Sequence, residues 1–269
     1  MRRWLSCAAL CTVALVAPGI GPAGAQVAAS ASSAQSAAAR GDSLMQAGRT
    51  AAAVEVWRAG LTAAPGDVTL LWKTSMGLSS LAEETPGHEG DDAHLRKAIE
   101  IARRAVRVGP DVSRAHTALA LALGRYGRHL GYAYRIQKAG EVVELGQQAY
   151  REIERARALD PSDYAPYVFL GVFHRELATV HPVAKAVART FLGGFPDVSL
   201  EESEALLKRA AGLDPGSVTA RVELARTWLA MGRDEDARSM LEEASALEPR
   251  SRLDRLEVER LREALADRS

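Results

Sequence analysis

Five times along the chain, a stretch with apolar residues at helical spacing runs into a small residue and then a proline. These are "WRAGLTAAP" ending at Pro65, "ARRAVRVGP" at Pro110, "IERARALDP" at Pro161, "LKRAAGLDP" at Pro215 and "LEEASALEP" at Pro249. Proline has no amide hydrogen and its ring collides with the carbonyl of the preceding turn, so each proline ends one helix, while its fixed φ suits the start of the next. No segment alternates apolar and polar residues with period two over strand length. The expected fold class is therefore all-α.

Pro215 and Pro249 lie 34 residues apart, which is the period of the tetratricopeptide repeat, a unit of two antiparallel helices. Counted from Val218, Leu224 and Ala225 take the seventh and eighth positions, Trp228 the eleventh, Ala237 the twentieth, Leu241 the twenty-fourth and Ala244 the twenty-seventh. At those positions small residues let the helices approach and large ones fill the seam between them. The first unit aligns through Gly41, Leu44, Ala53, Trp57 and Gly60, and the fourth begins with Tyr167, Leu170 and Gly171.

The other proline spacings are 45, 51 and 54 residues, which places insertions between the two helices of the middle three units, near 83–92, 127–141 and 179–198. In the last of these, "VHPVAKAVARTFLGGFP" reads as an extra short helix closed by Gly193 and Gly194, after which Ser199 is the N-cap of a new helix with Glu202 three residues on. Beyond Pro249, Leu253, Leu256, Val258, Leu261 and Leu265 share one side of a segment that is charged on the other, as suits a terminal capping helix. The expectation is a tetratricopeptide-like α-solenoid of about five helix pairs with inserted helices and a C-terminal capping helix over residues 37–269.

The N-terminus reads differently. Arg2 and Arg3 precede the apolar run "WLSCAALCTVALVA", and Pro18, Gly19 and the small residues Ala23 to Ala25 follow it, the pattern of a cleaved secretory signal over residues 1–25. Residues 26–36, "QVAASASSAQS", have no apolar period and are expected to be a disordered Ala/Ser-rich linker. Both cysteines, Cys7 and Cys11, fall inside the signal, so the mature chain is expected to have no disulfide and no thiol chemistry. It is also expected to have no transmembrane span and to be periplasmic or secreted. The formal net charge of the whole chain is +0. Removing the two leader arginines makes it slightly acidic, which gives no support to a nucleic-acid partner.

The irregular middle of the chain carries a further signal. An Ile-Gln in an elongated segment (Ile136, Gln137), an LDP stop at Pro161, the helix "FLGVFHREL" and the turn "ARTFLGGFP" from Ala188 to Pro196 occur in that order. Over about Ala93 to Ala266 this series resembles the regulator of microtubule dynamics family of tetratricopeptide-like proteins. The resemblance implies a helical-repeat fold with interrupted hairpins and no catalytic residues. The chain departs from the family pattern at Val172 and Phe173, where Arg-Trp is usual, and in the turn, which keeps one of two prolines. Together with the leader, this points to a bacterial exported relative.

No nucleophile elbow, phosphate loop, paired cysteines or "HExxH" occurs, so no enzyme, cofactor or catalytic residue is expected. Asparagine is absent from the chain, which removes the carboxylate clamp by which some repeats hold chaperone tails. His88, Glu89, Asp91, Asp92 and His94 crowd the first insertion, but a glycine-rich acidic loop is usually solvated and no metal is expected there. His174 and His181 read as a buried or rim pair. By repeat position, Trp72, Met76, Leu121, Val168, Val172, Arg175, Arg226 and Leu229 face the concave groove, with both arginines expected to be exposed. Apolar residues with two arginines suit an extended peptide bearing an acid group. The expected function is a non-catalytic exported scaffold for protein or peptide segments. The alternatives are a carrier of a small apolar ligand or lipid, or a docking subunit of a periplasmic transport assembly.

Overall fold

The computed structural model describes residues 22–84, 91–180 and 197–268, with backbone alone for 22–30 and 132–136. Among them there are eleven α-helices and no strand. They are α1 (Pro22–Gln46), α2 (Thr50–Ala63), α3 (Val68–Glu84), α4 (Asp91–Val108), α5 (Ser113–Tyr134), α6 (Ala139–Leu159), α7 (Tyr164–Ala178), α8 (Leu200–Leu213), α9 (Val218–Ala230), α10 (Asp234–Ser245) and α11 (Arg252–Ala266). A short 3₁₀ turn, Arg135–Lys138, joins α5 to α6. Odd-numbered helices up to α9 are the first members of five antiparallel pairs, α1/α2 to α9/α10, and successive first members pack on one another.

The proline punctuation appears as one repeated turn. Helices α2, α4, α6 and α8 each end two residues before Pro65, Pro110, Pro161 or Pro215. Each turn is closed by the same backbone bond across the proline: Asp67 N to Ala64 O at 3.1 Å, Val112 to Gly109 at 3.1 Å, Asp163 to Asp160 at 3.2 Å and Ser217 to Asp214 at 3.0 Å. Proline's φ suits the second position of such a turn, and in three of the four the Asp or Ser that closes it, Asp67, Asp163 or Ser217, caps the next helix. Asp67 Oδ1 accepts from Leu70 N at 2.8 Å and Ser217 Oγ from Ala220 N at 3.2 Å.

Five residues before each proline stands Gly60, Ala105, Ala156, Ala210 or Ala244, and the four alanines are buried. A Cβ at Gly60 would lie 2.8 Å from both Ala37 and Leu70, so a small residue is required where pairs stack. Gly171 is tighter still, with a would-be Cβ 2.5 Å from Leu207, while its carbonyl accepts from Ser203 Oγ at 2.7 Å.

The first and last pairs close with short turns through left-handed glycines, Gly48 at φ 72° and Gly232 at φ 76°. The expected insertions fall in the middle pairs. Of the one near 127–141, most is absorbed by a long α5, the 3₁₀ turn and the start of α6. The extra helix expected before Pro196 lies outside the described residues, but Ser199 is the N-cap of α8 and accepts from Glu202 N at 3.0 Å.

Residues 26–36 differ from expectation, since α1 runs through them. Alanine is the best helix former, and small residues can form a packing face without a large apolar period. Ala34 is buried in the N-terminal core, with Ala37 and Ala38 packed against it. The expected signal over 1–25 falls largely outside the described residues. Among those described, no helix is long and apolar enough to cross a membrane.

The core runs between the two helical layers as three clusters: an N-terminal one around Leu70, Leu71 and Leu123, a central one around Ile153 and Leu170, and a C-terminal one around Leu207, Val222 and Leu261. The third pair is pinned by an imidazole. His116 is buried, its Nδ1 lies 2.7 Å from Glu152 Oε2 and its Nε2 2.9 Å from Pro110 O. The Glu152 hydrogen bond raises its pKa most, the Pro110 carbonyl adds to this, and burial and Arg155 oppose it. A pKa raised on folding gives stability that is complete below the ordinary imidazole value and is lost as pH rises through the folded one. Denaturant titrations at about pH 6 and about pH 9 should therefore show a loss on the alkaline side that His116→Gln removes.

Candidate functional site

The inner wall is lined by charges set three residues apart on helices α5, α9 and α11. Residues i and i+3 share a helix side, so α5 presents Arg125 with Arg128, α9 presents Glu223 with Arg226, and α11 presents Glu257 with Arg260. Helix α7 adds Arg175 and the C-terminal end of α3 adds Glu83. Arg175 Nη1 lies 2.7 Å from Glu223 Oε2 and donates to the Glu223 carbonyl at 3.1 Å. Arg226 Nη1 donates to Glu223 Oε1 at 2.8 Å and its Nη2 pairs with Glu257. Arg260 Nη1 completes the series on Glu257 at 2.5 Å. Around Glu83, Arg128 Nη2 donates to Oε1 at 2.7 Å and Arg260 Nη2 to the backbone carbonyl at 3.0 Å.

The contact between Arg260 and Glu83 joins residues 177 apart in sequence. It shows what α11 does. One side of this helix buries Leu261 and Leu265 in the C-terminal core, and the other reaches the first two pairs. Arg252 Nη1 lies 3.9 Å from Glu84 Oε2, and the Arg255 guanidinium sits so close to Gly48 that a Cβ there would be 2.2 Å from it. The capping helix thus turns the row of first helices into a closed circuit with a charged interior. The electrostatics follow. Burial pushes the Glu223 carboxyl up, but Arg175 and Arg226 outweigh it and hold the pKa at about 2. Glu83 is likewise held below the usual range, against burial, by Arg125, Arg128 and Arg260.

The residues expected in the groove are only partly brought together. Arg175 and Arg226 meet on Glu223. Arg175, expected to be exposed, is buried at 8%, because curvature folds the inner wall onto itself. Trp72 and Met76 pack against the N-terminal core, and Lys73 Nζ stands 4.6 Å over the Trp72 ring. Val168 and Leu229 pack against the C-terminal core, while Leu121 and Val172 are half-buried. Trp72 and Met76 thus belong to the N-terminal cluster and Val168 and Leu229 to the C-terminal one. Glu83, Arg125, Arg128, Glu223, Glu257 and Arg260 are additions that repeat position alone did not select. The i, i+3 charge pairs on helices α5, α9 and α11 are the sequence signal for most of them.

Two other places hold polar groups. A cavity of about 410 Å³ between α6, α7 and α8 is lined in part by Tyr150, Glu154, His174, Ser199 and Glu202. Burial, the largest influence, lowers the His174 pKa, and Nδ1 has no hydrogen-bond partner among the described residues. His181, its expected neighbour, lies outside the described residues. So do His88 and Glu89 of the acidic loop, whose Asp92 pairs with Arg96 at 2.6 Å. Among the described residues no group of three or more His, Cys, Asp or Glu is arranged to hold a metal ion.

Residues 37–269 match the family described as Regulator of microtubule dynamics protein 1-3. The chain belongs to this family. No curated protein matches it. Among solved structures it is similar to TTC0263, a thermophilic tetratricopeptide-repeat protein of Thermus thermophilus, with 21% identity and a TM-score of 0.57 over 87% of this chain and 97% of that one. A looser likeness is to the MamA protein, at 15% identity and a TM-score of 0.40 over 80% of this chain and 91% of that one. At these identities the likeness to TTC0263 shows the fold. That fold is the tetratricopeptide-like solenoid read from the repeats.

Proposed function

We propose that this member of the regulator of microtubule dynamics family is a non-catalytic scaffold that binds segments of other proteins, using its inner wall and the rim around it. The repeat fold typically mediates protein–protein interaction. The observation that carries the reading is the wall itself, where five guanidinium groups converge from four helices on three carboxylates. Planar guanidinium groups suit carboxylates, so an acidic segment is the favoured partner. The carrier reading relied on Trp72, Met76, Leu121 and Val168 sharing a groove, and Trp72 and Met76 pack against the N-terminal core while Val168 packs against the C-terminal one.

The proposal includes export. The leader "MRRWLSCAALCTVALVA" and the small residues to Ala25 support delivery to the periplasm or beyond. Docking to a periplasmic assembly would be one setting for such a scaffold. Affinity purification of the tagged full chain from its native host, with N-terminal sequencing of the recovered protein, tests both parts. The expected result is a stoichiometric protein partner and a mature terminus near residue 26. A protein recovered repeatedly without a partner, or with its leader intact in the cytoplasm, would overturn the corresponding part.

A further inference from the structure

The interior charges do not balance. Among the described residues, Arg125, Arg128, Arg175, Arg226 and Arg260 pair with Glu83, Glu223 and Glu257, while Glu176, a half-exposed rim residue, lies 3.2 Å from Arg175 and buried Glu84 faces Arg252. Four of the five guanidinium groups donate hydrogen bonds or stand in close ion pairs. Arg125 is the exception. Its nearest carboxylate oxygen, Glu83 Oε1, is 3.7 Å from Nε, beyond a hydrogen bond, and that oxygen already accepts from Arg128. Arg125 Nη1 is buried without a hydrogen-bond partner among the described residues. A buried donor left unmade is costly and rare in folded proteins, more so when it carries charge. Burial lowers the Arg125 pKa most, Glu83, Glu257 and Glu223 raise it, and Arg128 lowers it further, so the surroundings undercompensate this one cation.

The Arg125 side chain is 13% exposed although its Nη1 is buried, and that of Arg128, three residues on and nearer the end of α5, is 37% exposed.

We propose that Arg125, with Arg128 beside it, is an oxyanion site at the centre of the circuit. An anion there supplies the acceptor that Nη1 lacks and brings the interior closer to neutrality. The chemistry fits a free phosphate or a carboxylate on a protein segment. The second source deepens the scaffold reading above, since it makes the acid group of the bound segment the part that is recognised.

The test is titration calorimetry and thermal denaturation of the full chain with two probes at constant ionic strength, inorganic phosphate and a short oligo-glutamate peptide, with sodium chloride as reference. The expected result is saturable binding of at least one probe and a rise in melting temperature beyond that given by chloride. Arg125→Met should weaken binding by about tenfold or more, and Arg262→Met, at an exposed arginine of α11 that donates to Ser245 Oγ, should leave it unchanged. If Arg125→Met fails to fold, Arg125→Lys keeps the charge but loses the planar fork and should weaken binding to a lesser degree.

Phosphate binding without peptide binding upholds the site and assigns it to a free anion. Responses equal to chloride for both probes, or equal binding by wild type and Arg125→Met, overturn it. A protein partner captured equally by wild type and Arg125→Met would also overturn it while leaving the scaffold reading in place.

Discussion

Replacing Glu223 with alanine should lower the unfolding free energy by about 3–5 kcal/mol, the usual cost of removing one partner from a buried ion pair. Its carboxylate is the shared ion-pair partner of Arg175 and Arg226, and the truncation leaves both guanidinium groups in a wall where positive charge already exceeds negative. Glu223→Gln keeps the shape and one acceptor, so it should cost less. The same residue sets an acid limit. Its pKa is about 2 in the fold against an ordinary 4.5, so its contribution is full above the ordinary value and is lost as pH falls from 4.5 towards 2. That contribution is about 3 kcal/mol at neutral pH. Urea titrations at pH 7 and pH 3 should show wild type weakening in acid and Glu223→Ala weakening less, with the remainder carried by Glu83 and other depressed carboxylates. A Glu223→Ala protein within about 0.5 kcal/mol of wild type at pH 7 would mean the inner wall is solvated and the pairs are ordinary surface contacts.

Leu261→Ala should cost about 2–5 kcal/mol, because the side chain is fully buried in the C-terminal core and the neighbours held by the helix seams cannot close the space. The effect should extend beyond packing. Leu261 and Leu265 hold α11 down, and α11 in turn supplies Glu257 to Arg226 and Arg260 to the Glu83 carbonyl. Hydrogen exchange over residues 252–266 should rise in this variant, together with exchange at the end of α3. The double variant Leu261→Ala, Glu223→Ala should cost less than the sum of the two, since the first already loosens part of the network served by the second. Strict additivity would indicate that α11 does not share the interior.

The repeat architecture was legible because its signals are local. A proline at each turn and a small residue five places before it are read within a few residues, and the structure builds the same turn four times. The Ser199 cap and the close approach at Gly171 were legible for the same reason. What escaped depends on curvature. Whether Arg175 faces water or Glu223 is decided by how far each pair rotates on the next, which no single unit encodes. Read alone, α11 is an amphipathic cap with a solvated charged side. Only the closing of the circuit places Arg252 and Arg260 of that side against Glu84 and Glu83. The helix through 26–36 escaped because alanine and serine give it no apolar stripe, although Ala34 packs well.

The closed circuit is tested most directly by a distance between its two ends. With Cys7 and Cys11 replaced by serine, spin labels at Ala47, in the exposed turn before Gly48, and at Arg255, on α11, should give one short and narrow distance distribution by double electron–electron resonance. A long or broad distribution at low and moderate salt would show an open solenoid whose last helix never meets its first, and the charged interior would then not exist.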